Sequence, residues 1–396
     1  MNGILSDVCL LIEDCHHSTA PTVDSGHPLI RTPDIGKGRV NYEHVYYVTD
    51  RVYDERTTRA KPQINDLILA REAPAGNVAI LNSDKGVCLG QRTVLIRPNP
   101  ELVNPQYLCY YMLLPEQQHK LLGSANGSTV SHVNLPVIRG MKIDLPPLPI
   151  QRRIADILSA YDDLIENNQR QIKLLEEAAM RLYREWFVFM RFPGHESVRI
   201  EDGVPEGWKY QELKEIADIV MGQSPDSSYY NSDGDGLPFH QGVSNYGERY
   251  VSNVEYCSVE KRCAVPNSIL FSVRAPVGRI NLTREKVVIG RGLAAINHKL
   301  GKQSYLFYLL KSHFSVEDMI GNGSVFSAVT KSDLEDQKLL IPSFDLVEVF
   351  SRIVEPMDAK INSLDMQIER LQKARDALLP RLMNGGEGLK LEGGAV

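Results

Sequence analysis

The stretch NDLILAREAPAGN (Asn65–Asn77) returns 202 positions later as NSILFSVRAPVGR (Asn267–Arg279), keeping Asn, an apolar run, Arg, Ala-Pro and Gly in order. One such match is weak evidence, but others follow in register. GHPLIR (Gly26–Arg31) answers GLPFHQ (Gly236–Gln241), and YLCYYMLL (Tyr107–Leu114) answers YLFYLLKS (Tyr305–Ser312). Asn-Gly-Ser occurs at Asn126–Ser128 and Asn322–Ser324, and Leu145-Pro146 answers Ile341-Pro342. The offsets stay between about 196 and 210, the signature of one duplication with small insertions. A chain of 396 residues is long for a single core, and the duplication divides it into two equivalent halves. Each half opens with roughly 140 residues of short Val/Ile/Leu-rich strand candidates, Gly/Pro turns and a helix near Tyr107 or Tyr305.

The second part of each half is a rod. After Pro146–Pro149, apolar or small side chains recur at Leu158, Tyr161, Ile165, Ile172, Leu175, Ala179, Leu182 and Trp186, with Asn168 on the same stripe. The gaps alternate 3 and 4, a sustained heptad seam. Shifting by 196 gives Met357, Ile361, Leu364, Ile368, Leu371, Arg375 and Leu378, with Leu364 in place of Asn168 and Arg375 in place of Ala179. The prolines suit helix entrances and Asn384-Gly385-Gly386 suits an exit. Seams this long call for a long straight partner, so the two helices are expected to pair antiparallel; packing of each on its own domain is the alternative. A helix from Ile150 to Phe189 would span about 55–60 Å at about 1.5 Å per residue. That rivals one and a half turns of B-DNA at roughly 34 Å per turn. Asn168 is a candidate register device or a tolerated solvated layer.

The net charge of −6 does not advertise a polyanionic partner, but it conceals a local excess. From Lys261 to Lys302 nine Lys/Arg stand against one acid, Glu285, interleaved with Gly and β-branched residues. Such a run is either a solvated face or an electrostatic footprint for phosphates. No stretch of about 18 apolar residues supports a membrane span. MNGILSDVCLLIEDCHH, with acids close behind its apolar run and no basic start, does not read as a signal peptide. The six cysteines include no C-x-x-C pair and read as reduced thiols; Cys9, Cys15, His16 and His17 fit none of the usual zinc spacings, so no metal site is expected.

Catalytic signatures are missing. There is no G-x-x-x-x-G-K-[ST], no G-x-G-x-x-G after a strand, no H-E-x-x-H and no G-x-S-x-G. The tetrapeptide NPQY (Asn104–Tyr107) lacks the second proline of an amino-methyltransferase motif and reads as a helix start. Acidic clusters at Asp233/Asp235 and Asp333/Glu335/Asp336 read as turns and helix N-terminal charge. A recognition protein fits better than an enzyme. The rival readings are a protein-binding scaffold with two repeated domains on a coiled-coil spacer, and a self-sufficient nuclease or methyltransferase.

LPPLPIQRRIADILSAYDDLIENNQRQIKLLEE (Leu145–Glu177), LYREWF (Leu182–Phe187) and MDAKINSLDMQIERLQKARDALLPRLMNGGE (Met357–Glu387) resemble the specificity subunit of type I restriction–modification systems. GWKYQELKEIADIVMGQSP (Gly207–Pro225) and GLPFHQG (Gly236–Gly242) look like the opening of a target-recognition domain, whereas the first domain lacks the Gly-Trp lead of Gly207-Trp208. The resemblance implies an α+β chain: two repeated mixed α/β target-recognition domains separated by two long antiparallel coiled-coil helices. It implies a non-catalytic, cytoplasmic DNA-specificity subunit that reads a bipartite double-stranded target. Two methyltransferase subunits would dock on it, and two ATP-dependent restriction subunits can join them. S-adenosylmethionine, ATP and Mg would then belong to the partners only, with no cofactor on this chain and no membrane contact. The chain divides accordingly into a first recognition domain (1–144), a first long helix (145–190), a linker (191–206), a second recognition domain (207–340), a second long helix (341–384) and a tail (385–396).

Base readout needs Arg, Lys, Asn, Gln or Ser/Thr on loops that enter a groove. In the first half the candidates are Arg31, Lys37 and Arg39 in RTPDIGKGR, then Arg71, Gln91 and Arg92. In the second they are His240, Gln241, Ser244, Asn245, Arg274, Arg279 and Arg291. The Arg71/Arg274 and Gln91-Arg92/Arg291 regions recur in both halves and suggest scaffold or phosphate contacts. The Arg31–Arg39 and His240–Asn245 loops differ and are the better candidates for specificity. The Gly-Ser loops at Gly127-Ser128 and Gly323-Ser324 are plain turns or backbone phosphate contacts.

Overall fold

A computed structural model describes residues 1–83, 85–123, 132–314 and 328–384. Both Asn-Gly-Ser tripeptides and the 385–396 tail lie outside the described residues. The chain divides into two compact units, Met1–Asn168 with Met366–Val396, and Gln169–Asp365. The boundary cuts both long helices in mid-course, so each unit contains a mixed domain and a stretch of each helix. It does not fall at the helix ends, as the sequence-based division expected.

In the first unit a five-stranded sheet runs Cys9–Asp14, Thr93–Pro98, Leu67–Ala70, Val78–Ile80, Gly38–Arg39, beside a three-stranded sheet of Tyr46–Val48, His27–Ile30 and Cys88–Leu89. In the second unit Ala217–Met221, Leu293–His298, Ile269–Ser272 and Ile280–Leu282 form the matching sheet. The registers repeat as well. Leu67 faces Ile80 and Ile96; Ile269 faces Leu282 and Ile296. The parallel pairs Ile30–Leu89 and His240–Ile289 match too. These central strands are buried on both faces, which is why they read as continuous apolar runs and not as alternating ones. Each domain also opens on an edge strand: Asn2–Ile4 pairs with Lys142–Asp144, and Lys209–Glu212 with Lys338–Ile341. The first domain therefore begins on the same strand of the repeat as the second.

NPQY is indeed a helix entrance: the Asn104 side chain accepts from the Tyr107 amide and caps Pro105–Met112, whose tyrosines fill the first core. Gln303–His313 does the same service in the second unit.

The long helices run Leu148–Tyr183 and Phe344–Asn384. The first ends in a π turn at Arg184–Val188, where Trp186 and Phe187 are buried. Their antiparallel course is visible inside each unit. In the first, Asp162 meets Arg375 at 2.6 Å and Asn168 meets Gln367 at 3.3 Å, so numbering rises on one helix as it falls on the other. In the second, Tyr183 and Phe187 meet Phe350 edge to face with ring centres 6.1 and 5.1 Å apart. Of the seam residues, Leu158, Ile165, Asn168, Ile172, Ile361, Leu364 and Ile368 are buried, and Tyr161, Leu175, Met357 and Leu371 are half-buried. The heptad stripe therefore faces protein, as a 3.5-residue repeat requires of paired helices.

Asn168 donates Nδ2–H to Gln367 Oε1 across the pair while 6% exposed. It is a satisfied polar layer in the first unit at the position Leu364 fills in the second.

Candidate nucleic-acid interface

The two domains share one backbone framework at the ends of their central strands. In the first unit Arg71 N–H donates to the Arg92 carbonyl, Gly90 N–H to the Ile30 carbonyl and Val133 N–H to the Arg71 carbonyl. In the second, Val273 N–H donates to Gly292, Gly290 N–H to His240 and Val329 N–H to Val273. These bonds fix the equivalences one by one: Ile30 with His240, Arg31 with Gln241, Glu72 with Arg274, Gln91 with Arg291, and Arg92 with Gly292.

The equivalences correct the sequence reading at Arg71. Its counterpart is Val273, not Arg274: at the motif's constant 202-residue offset the two arginines fall on adjacent positions. One residue along an extended strand moves a side chain to the opposite face. Arg71 accordingly points inward, 7% exposed, with its guanidinium on Asp14, His132 and the Val133 carbonyl. Arg274 points outward and is exposed. Arg71 holds the fold together and cannot enter a groove.

His240 is also corrected. It sits at the position of the core residue Ile30, 1% exposed, with Nε2 on Asn253 Oδ1 at 3.0 Å, and burial lowers its pKa from 6.5. A third correction is Arg39, whose guanidinium is taken by Asp163 and by Glu166 at 3.1 Å on the first long helix. It ties domain to helix.

Several candidates do lie where a ligand can reach them. Arg31 is half-buried, stacked 4.1 Å over the Tyr46 ring with Nε on Asp34, which orients its remaining nitrogens. Lys37, Gln241, Ser244, Arg274, Arg279 and Arg291 are exposed; Gln91 and Asn245 are half-buried. Arg92 is exposed but paired with Glu72 at 2.9 Å. Gln241, Arg274 and Gly292 border a groove of about 190 Å³ floored by Ser272. Arg274, Arg279 and Arg291 make no ion pair among the described residues. Other members of the basic run are committed internally: Arg284 to Asn362 and Asp365, Lys286 to Glu260, and Lys302 over the Phe344 ring. Arg274, Arg279 and Arg291, with Lys261 and Arg262, are exposed members of the run for which no ion pair occurs among the described residues.

Sequence reading missed three residues here. Glu72 binds Arg92 and His132. Ser224 Oγ donates to Gln241 and accepts from the Arg291 amide at 3.1 Å, joining two loops. Arg249, 4% exposed, binds Glu176, Asp358 and the Tyr308 hydroxyl. Glu72 was within reach of the repeat, since the 202-residue offset of the two motifs sets it against Arg274.

Among the described residues no His/Cys/Asp/Glu group could hold a metal, and no helix is long and apolar enough to cross a membrane. Burial pushes the Cys9 thiol up to about 12 and raises Cys15 as well.

The family model described as type I restriction modification DNA specificity domain matches residues 24–177 and 205–373. Each match runs from a mixed domain into a long helix, so the family's unit is the repeat itself. A putative type I restriction enzyme MjaX specificity subunit of Methanocaldococcus jannaschii is 32% identical over 370 residues, covering 91% of this chain and 87% of that protein. The HindI specificity subunit of Haemophilus influenzae is 21% identical over 393 residues, covering 80% and 86%. The crystal structure of a type I restriction–modification S subunit from M. genitalium shares the fold at a TM-score of 0.64 and 16% identity, over 97% of this chain and 96% of that one. This chain belongs to the family of type I restriction–modification specificity subunits.

Proposed function

We propose that this chain is the DNA-reading subunit of a cytoplasmic type I restriction–modification complex. Each unit reads one half of a bipartite duplex target, and the long helices set the spacer between the halves. The chain carries no chemistry of its own. Two methyltransferase subunits dock on it and hold S-adenosylmethionine, and two restriction subunits supply ATP- and Mg-dependent cleavage.

One observation carries the reading: a duplicated framework of backbone hydrogen bonds carries different residues at equivalent strand-end positions. Two different half-sites require that combination, since common phosphate contacts need no such difference. Strand-end arginines free of ion pairs add the charge that a phosphate backbone attracts. Family membership supplies the division of labour between subunits.

The test is domain exchange. Residues 1–144 are replaced by the corresponding domain of another specificity subunit, and methylated sites are mapped after co-expression with a methyltransferase. One half-site should change and the other persist. An unchanged target, or failure to co-purify with a methyltransferase, would refute the proposal. Deleting one heptad from each helix in register should shorten the spacer and leave both half-site sequences intact; altered half-sites would refute the ruler.

A further inference from the structure

The four equivalent pairs at the strand ends have different chemistry in the two units. Arg31, Glu72, Gln91 and Arg92 stand in the first; Gln241, Arg274, Arg291 and Gly292 stand in the second. The backbone hydrogen bonds beneath them coincide, while Arg92 alone of the pair Arg92/Gly292 has a left-handed backbone, with φ 64°.

In the first unit Glu72 captures Arg92 at 2.9 Å and also binds His132. One arginine is neutralised in place and a carboxylate is added to the surface. In the second unit glycine stands where Arg92 would be, and arginine where Glu72 would be. A Cβ on Gly292 would lie 2.4 Å from the Gln241 carbonyl, so this position stays bare and the groove beside Arg274 stays open. Among the described residues neither Arg274 nor Arg291 makes an ion pair, and Ser224 fixes the Arg291 backbone against Gln241.

Building on the DNA-reading function proposed above, we infer that Arg274 and Arg291 read guanines in the half-site of the second unit, from the strand-end positions that carry Glu72 and Gln91 in the first. A free guanidinium matches guanine O6 and N7 with two parallel N–H donors, the commonest specific contact in the major groove. A carboxylate placed at the same position would only accept, so it would favour the amino edges of cytosine or adenine and disfavour guanine O6 and N7. Phosphate contact is the competing role for both arginines, and it predicts a different result.

The experiment selects duplexes from a randomised library with the full chain, alone and with co-expressed methyltransferase subunits. It compares the natural chain, Arg274→Ala, Arg291→Ala and Arg274→Glu, which places the first unit's acid at this position. Each alanine variant should lose preference for a particular guanine in one half-site, by roughly 5- to 150-fold from about 1–3 kcal/mol per bidentate contact. Arg274→Glu should turn against guanine there. The unchanged half-site reports in the same experiment that each variant is folded. Uniformly weaker binding with the guanine preference intact would identify phosphate contacts and overturn the inference alone. If the natural chain enriches no bipartite motif in either preparation, the proposed function falls and this inference with it.

Discussion

Each unit buries one carboxylate against a tyrosine, and the two units bring the neutralising guanidinium from different places. In the first, Asp162 accepts from the Tyr110 hydroxyl and from Arg375 on the second long helix. In the second, Asp358 accepts from the Tyr308 hydroxyl at 2.9 Å and from Arg249 of the domain at 2.6 Å. The repeat equivalents are Ala179 for Arg375 and Gly38 for Arg249, so each unit has one arginine and one small residue in exchanged positions. Burial works against the charge of Arg249, but Asp358, Tyr308 and Glu176 outweigh it and raise its pKa. Removing one partner of such a buried pair costs about 3–5 kcal/mol. Tyr308 stays on Asp358 and Lys311 stays 3.7 Å from Glu176, so Arg249→Ala should fall near the lower end, about 3 kcal/mol. For a unit of this size that corresponds to a fall of roughly 6–12 °C in Tm. Ala179→Arg alone should also destabilise, since Ala179 is fully buried and the guanidinium site is occupied. Combined, the two changes copy the first unit and should be more stable than either single variant. Chemical and thermal unfolding of the full chain, followed by a probe in each unit, measures the cycle. Additive effects, or a double variant worse than both singles, would refute the exchange. The reverse transplant at Gly38 is expected to fail, because its φ of +96° strains any side chain.

Arg71→Ala should lower stability by about 3 kcal/mol through the orphaned Asp14, while the selected DNA sequence stays the same; a changed half-site with unchanged Tm would contradict the buried placement. Asn168→Leu, which copies Leu364, should raise the unfolding midpoint by an amount worth about 1 kcal/mol, since a polar seam residue fixes register at a cost in stability; a lower midpoint would mean the Gln367 bond outweighs apolar packing. His240 and His298 have folded pKa values depressed by burial below 6.5. The unfolded chain therefore binds protons first, and stability held above pH 6.5 is lost as pH falls through the folded values. His240→Asn should flatten that loss in a Tm series from pH 7.5 to 5.5, and an unaltered slope would exclude His240 as its source.

The sequence by itself determined the duplication, the mixed domains, the two long helices and their seam. Those features are local or periodic: a 3–4 alternation fixes which helix face is covered, and a repeated motif fixes an equivalent fold whatever the partners. Tertiary structure alone decided which polar residues are available. Arg71 and Arg274 occupy adjacent positions of the aligned motifs, and that one-residue step sends one inward to Asp14 and the other out to solvent. His240 and Arg39 stand in promising loops, yet one occupies a core position and the other spends its charge on helix acids 124 and 127 residues away. The Ala179/Arg375 exchange was visible on the seam, but its complement at Gly38 and Arg249 was not. Neutralising a buried charge depends on distance in space, and the arginine can arrive from any element that reaches the carboxylate.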